Sequence, residues 1–205
     1  MARYPRPEGT YTPRSLSAGQ LKVMQAVAIL LENSATKITI NNIAKEIHVT
    51  EGAIYRHFRS KEDIFEAILT YMEANILTPF KTVQEQSTDT ERRLELVFNA
   101  VNNFLEGHPG LARLLLGHGA TEAAPVADKL KILNGKIRVE LIEILKLGNA
   151  QGVLRAGLSA EQAGELFYGI LVGTAMAQAH QLPQLESTAR WQSIKISLFE
   201  NHRSL

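Results

Sequence analysis

Residues 39–61 read TINNIAKEIHVTEGAIYRHFRSK, and their spacing decides the architecture of the amino-terminal third. Ile40, Ile43, Ala44 and Ile47 recur at i, i+3, i+4 and i+7, which lines one face of a short helix. Thr39 stands ahead of them as an N-cap. His48 and Val49 break the pattern, and Thr50 offers a second cap. Ile54 and Phe58, four apart, give the next helix its buried face. Two short helices joined by a tight turn describe a helix-turn-helix over 39–58. The second helix leaves Thr50, Glu51, Gly52, Ala53, Tyr55, Arg56 and His57 outward, a set rich in hydrogen-bonding groups with two small residues. A DNA groove suits such a surface.

Tyr55-Arg56-His57-Phe58, followed by Ser60-Lys61 and an acidic-apolar helix start, resembles the signature of the TetR family of transcriptional regulators. The resemblance is strong over the first third of the chain. One position departs from it: His48 stands where the family usually has glycine, because the turn needs φ > 0. Histidine tolerates that region better than most residues, at some cost. The resemblance implies double-stranded DNA as partner. Tyr55, His57 and Lys61 are expected at backbone phosphates. Thr39 and Ile40 open their helix with free N–H groups that suit phosphate. Thr50, Glu51, Gly52 and Ala53 are expected nearest the base edges, with Arg56 able to serve either purpose.

The charge distribution agrees. Residues 1–61 hold nine Lys or Arg against four Glu, whereas residues 62–205 hold 13 against 17 acidic groups. A basic head on an acidic body suits nucleic-acid binding by the head alone, although a difference of this size also arises by chance. The 45% hydrophobic and 21% charged fractions fit a globular protein with a sizeable core. Cysteine is absent, which excludes disulfides, thiolate metal sites and cysteine nucleophiles. No signal-peptide pattern opens the chain. The longest apolar run, 166–177, is too short to span a bilayer. The expected setting is the cytoplasm, in association with the nucleoid, with no membrane partner.

Residues 1–16 carry Pro5, Pro7, Pro13 and Gly9 and read as a disordered basic arm. Arg3, Arg6 and Arg14 would allow it to reach a minor groove, or it is simply a solvated tail. Ser17 opens a helix with the stripe Leu21, Met24, Ala28 and Leu31, which completes a three-helix head over 17–62. Ser60-Lys61-Glu62-Asp63 resembles a capping box, and Ile64, Phe65, Ile68, Leu69 and Met72 continue a helix that Pro79 is expected to end. Further helices are predicted over 88–106, 109–117, 123–151, 159–181 and 187–202. Nothing alternates with period two, so the chain is predicted to be all-α, with a helical dimerisation and effector body over 63–205.

Two stripes suggest self-association. Gly169, Gly173 and Ala177 are spaced by four beside Leu166 and Ile170; Trp191, Ile194 and Leu198 fall at i, i+3 and i+7. Small residues on one stripe let helices approach closely. The family resemblance implies a homodimer built from the last two helices of each copy, while the residues alone also fit a monomer core. Phe65, Leu69, Met72, Phe98, Phe104, Leu115, His118, Tyr168 and Met176 are candidates to line a cavity for a small-molecule effector, though such residues at helical spacing also make ordinary core. His108 and His118 flank a short apolar helix without a further ligand at i+3 or i+4, so neither a metal nor another cofactor is expected. Glu140 and Glu143 lie near Lys136 and Lys146, a solvated ion-pair pattern rather than a catalytic pair. No phosphate loop is present. The expectation is a non-enzymatic repressor on a palindromic operator.

A closer resemblance within the family implies an alternative. EGHPGLARLLLGHG at 106–119 and Ala189-Arg190-Trp191 resemble the nucleoid occlusion branch, whose members bind DNA and restrain the cell-division ring protein. Little in 120–187 is expected to match that branch. Under this alternative a groove between the 61–78 and 88–106 helices holds a partner's peptide. Phe65, Leu69, Leu94 and Phe98 would form its floor, and Arg93 would meet an acidic tail, unless those four are core.

Overall fold

The computed structural model describes residues 16–33, 36–119 and 124–199. The expected arm over 1–16 lies outside these residues except for Leu16, which packs partly buried against the core. Nine helices run in the order α1 (Ala18–Leu31), α2 (Ile40–Glu46), α3 (Glu51–Tyr55), α4 (Lys61–Gln86), α5 (Thr90–Gly107), α6 (Pro109–Leu115), α7 (Ala124–Ala150), α8 (Ala160–Ala179) and α9 (Ser187–Leu198) among the described residues. The only β contact among them is an isolated bridge between Leu154 and Phe199.

Local chemistry fixes the starts. The Ser17 hydroxyl accepts from the Gln20 N–H while the Gln20 side chain accepts from the Ser17 N–H, a complete capping box. Ser60 accepts from the Asp63 N–H at 3.1 Å, but the Asp63 carboxylate reaches back to the Arg59 N–H, one residue before the cap. The box predicted at Ser60 is therefore half formed. His108 both ends α5 and precedes α6, with Nδ1 2.8 Å from the Phe104 carbonyl; burial holds its pKa below the ordinary imidazole value. That placement is structural, with its ring against Phe104 and Tyr71.

Pro79 does not end its helix. α4 continues to Gln86 with Pro79 inside it. Pro79 cannot donate to the Asn75 carbonyl, and an interior proline costs about 3 kcal/mol. Phe80 and Val83, one and four residues later, are both fully inside the core. Burying two such side chains recovers about 3–6 kcal/mol, so tertiary packing outweighs the local preference.

The body is built by antiparallel and parallel pairings. Glu66 and Glu73 of α4 meet Lys129 and Lys136 of α7, so these two helices run in the same direction. α7 and α8 run antiparallel: Asn134 meets Tyr168, and Ile142 lies over Gly164. α9 runs antiparallel to α5, with Trp191 beside Phe98, Ser187 on Asn99 and Lys195 paired to Glu91. Trp191, Ile194 and Leu198 thus turn inward, at most 4% exposed. The stripe predicted to meet a second copy completes the core of one chain, because α9 has α5 to cover.

Head and body join where α6 crosses α1. A Cβ at Gly110 would stand 1.8 Å from the backbone oxygen of Ala28. That neighbour is main chain and cannot rotate away. Gly110→Ala is expected to destabilise the fold by about 1–3 kcal/mol, as overpacking does, and to lower the melting temperature of the intact chain. An unchanged melting temperature would show that α1 and α6 can separate freely.

Candidate DNA interface and body cavity

The turn between α2 and α3 has the geometry that the sequence demanded. His48 adopts φ 56, in the left-handed region. Its N–H donates to the Lys45 carbonyl at 3.3 Å and the Val49 N–H to the Ala44 carbonyl at 3.0 Å. This pair of bonds closes α2 in a Schellman turn. At the other end of α2 the Thr39 hydroxyl accepts from the Asn42 N–H at 3.1 Å. Thr50 occupies the N-cap position of α3 without a side-chain capping bond.

α3 is anchored by Ile54, and Phe58 follows it into the core; both are buried. Thr50, Glu51, Gly52, Tyr55, Arg56 and His57 are exposed, and Ala53 is half-buried. Tyr55 is 53% exposed, an aromatic ring without a core to fill. Thr39 is exposed at the start of α2, Ile40 beside it is half-buried, and Lys61 is half-buried at the start of α4. One prediction is narrowed: a Glu51 oxygen accepts from the Asn41 amide at 2.8 Å, which ties α3 to α2. That bond uses one of the acceptor sites of the Glu51 carboxylate and leaves the others for outside contacts.

The body holds a partly open cavity of about 230 Å³ lined by α4, α5, α6, α7 and α8. Its wall is largely apolar, from Ile76, Val101, Leu105, Leu115, Leu116, Ile137, Leu171, Val172 and Ala175. Tyr168 donates to the Asn134 side-chain oxygen at 2.9 Å, and both line the cavity. Burial pushes the Tyr168 hydroxyl above its ordinary pKa, so it stays protonated. Of the nine candidates from sequence, Leu115 and Tyr168 line this space. Phe65, Leu69, Met72, Phe98 and Phe104 are packed solidly in the core, and His118 and Met176 are exposed. The periodicity marked them as apolar; it did not show which apolar faces leave a gap between them. Asn134, which sequence reasoning passed over, is the second polar group of the cavity.

A second concavity, about 320 Å³, lies between α4 and α5 and is lined by Asn75, Thr78, Pro79, Thr82, Leu96 and Ala100, among others. Its lining does not include the predicted floor of Phe65, Leu69, Leu94 and Phe98, all of which are buried core. Arg93 is also committed: its guanidinium donates to the carbonyls of Ser87 and Gln84 at the end of α4. Among the described residues no group of three or more His, Cys, Asp or Glu is placed to hold a metal. No helix among them is long and apolar enough to cross a membrane.

α8 keeps an open apolar face. Leu166 and Met176 are 51% and 43% exposed, and a Cβ at Gly169 or Gly173 would meet nothing within 4 Å. Ile170 and Ala177 flank this face half-buried. Ile132 and Val139 of α7 are also exposed.

Residues 25–68, from α1 into α4, match the family described as bacterial regulatory proteins, tetR family. The nucleoid occlusion factor SlmA of Vibrio campbellii is 34% identical over 128 residues, 61% of this chain and 65% of that protein. The chain therefore matches just under two thirds of that relative's length. SlmA of Yersinia enterocolitica is 30% identical over 184 residues, 86% of this chain and 93% of that protein. The similarity expected to fade beyond residue 120 thus runs through the body as well. In solved structures the fold is matched by the ketosteroid transcriptional regulator KstR2 of Mycobacterium tuberculosis, with TM-score 0.75 at 16% identity over 96% of this chain and 100% of that one. The fatty acid degradation regulator FadR from Bacillus halodurans gives 0.72 at 19% identity, over 93% and 99%.

The turn generates a direct test. A β-branched residue at φ 56 meets the steric barrier that histidine partly avoids. His48→Val is expected to cost about 1–2 kcal/mol in thermal unfolding, and His48→Gly less than about 1 kcal/mol in either direction. Equal stability of the two variants would show that the left-handed turn is not retained.

Proposed function

The chain belongs to the tetR family of bacterial regulatory proteins, and from that premise we propose that it is a sequence-specific repressor acting as a homodimer on a palindromic operator. The observation that carries this reading is the α2–α3 unit: a braced Schellman turn at His48, with α3 presenting polar side chains that the core does not use. Thr50, Glu51, Gly52 and Ala53 read base edges. Tyr55, His57, Lys61 and the amino end of α2 at Thr39 and Ile40 hold phosphates, and Arg56 serves either. Phosphate contacts set position and base contacts set sequence. The open face of α8, at Leu166, Gly169, Gly173 and Met176, packs against a second copy. Two recognition helices related by a two-fold axis then require a near-palindromic site.

The cavity takes a small apolar effector with one neutral hydrogen-bonding group, matched to the Tyr168–Asn134 pair. At about 230 Å³ it is smaller than the usual drug-sized pocket. Leu115 and Leu116 lie in its wall at the end of α6, whose other end rests on α1. A ligand that shifts α6 therefore shifts the head. About 1.4 kcal/mol of differential binding between the two head positions lowers DNA affinity tenfold.

The names of the relatives and the α4–α5 concavity favour a second reading, in which DNA-bound protein restrains the cell-division ring protein. A short peptide would lie against Leu96 and Ala100, near Pro79. This reading expects the carboxy-terminal tail of that protein to bind more tightly when operator DNA is present, and not to bind Leu96→Glu that still binds DNA. Absence of binding at about a millimolar tail removes it.

The main reading is tested by Lys61→Ala. The variant is expected to weaken binding to all duplex sequences and to reduce the slope of log affinity against log salt by about 1. A changed operator preference with an unchanged slope would reverse the assignment. Leu166→Glu is expected to turn a dimer into a monomer in light scattering and to abolish two-half-site protection; a monomeric wild-type chain protecting one asymmetric half-site would contradict the dimer.

A further inference from the structure

Gly19 is the second residue of α1, a position where alanine is favoured over glycine. It is not among the residues with positive φ, so the backbone does not ask for glycine there. The space where a side chain would begin is occupied by His57. A Cβ built on Gly19 would fall 2.2 Å from His57 Nε2, 2.3 Å from Cε1 and 2.9 Å from Cδ2. The Gln20 side-chain amide also donates to the His57 carbonyl at 3.4 Å, while its oxygen accepts the Ser17 N–H of the capping box. The first turn of α1 and the end of the recognition helix are thus fitted to each other at His57, whose outer side is exposed.

We propose that Gly19 is a positioning residue for DNA recognition, whose missing side chain lets the His57 imidazole rest on α1 in the place from which it meets a phosphate. This rests on the reading that His57 contacts DNA. The blocking atom would meet the far end of an exposed, rotatable side chain rather than main chain. A methyl group at Gly19 therefore swings the ring away and leaves the helices in place. Stability and DNA affinity are expected to move in opposite directions, which a purely structural glycine would not produce.

The test uses the full chain and an operator selected by that chain from random duplex DNA. Binding and thermal melting are measured for wild type, Gly19→Ala, His57→Ala and the double variant. Gly19→Ala is expected to melt no lower than wild type yet to bind about fivefold more weakly, the scale of one ordinary hydrogen bond net of the water contacts it replaces. His57→Ala is expected to lose a similar factor, and the double variant to bind no more weakly than His57→Ala. Multiplying losses would place the effect of Gly19 elsewhere than on His57 and overturn the proposal. So would a lowered melting temperature in Gly19→Ala, or full affinity in Gly19→Ala beside a weakened His57→Ala. Full affinity in His57→Ala would remove the underlying contact itself.

Discussion

Head and body share one contact between bare backbones, where the Cα of Gly110 in α6 lies on the carbonyl of Ala28 in α1. Nothing in that contact can adjust by rotamer. α6 is held equally at its far side, where Arg113, 8% exposed, donates to the Ala179 carbonyl at the end of α8. A cation at a helix carboxy terminus also satisfies carbonyls that have no partner within the helix. The seven residues of α6 therefore lie between the helix that supports the DNA-binding unit and the helix that presents the open face. Leu115 and Leu116, in the cavity wall, thus belong to the same short segment that meets the Ala28 carbonyl through Gly110.

The many surface ion pairs play a different part. Glu66–Lys129 and Glu73–Lys136 repeat seven residues apart on both α4 and α7, and each group is about half exposed. Exposed pairs of this kind contribute about 0–1 kcal/mol, while truncating one buried Phe costs about 3–5. Phe80, Phe98 and Phe167 decide whether the body holds together. The ion pairs favour one register of α7 along α4, since a slip by one residue would break both. Arg190 is a more demanding case. Its guanidinium lies over the Phe98 ring and donates to the side chains of Asn102, Thr174 and Gln184, all neutral, and burial lowers its pKa. That network joins α5, α8 and α9 through hydrogen bonds, where an apolar residue would leave Asn102 and Thr174 buried and less well satisfied.

The parts of this architecture set by local chemistry were legible in the sequence. Thr39 caps as read, Ser17 stands at the start of its helix as read, and His48 takes the left-handed turn that its position required, while Thr50 holds its cap position without a side-chain bond. Ile54 and Phe58 bury as their spacing implied. Failures occur where a distant element decides. Pro79 reads as a stop, yet burial of Phe80 carries the helix onward. Trp191, Ile194 and Leu198 read as an apolar stripe, and only the position of α5 shows that the stripe already has a partner. The cavity was the least legible feature, because a void is a property of five helices at once. Tyr168 and Leu115 were among the candidates, but nothing in a one-dimensional pattern separates them from Phe98 or Met72.

The glycines make the same point in a form that bears on assembly. In a helix interior glycine costs about 1 kcal/mol relative to alanine, and several here have a neighbour that uses the missing side chain, although Gly135 of α7 does not. Gly110 has the Ala28 carbonyl, Gly164 has Ile142 and Gly148 has Thr90. Gly169 and Gly173 have nothing within 4 Å, although they stand one turn apart in a 20-residue helix beside exposed Leu166 and Met176. In a single chain they weaken α8 and gain no close contact. A second helix laid across that bare strip would approach closely enough for backbone and side chains to pack, and would cover Leu166 and Met176 in the same step. A symmetric partner on that face would offset this cost.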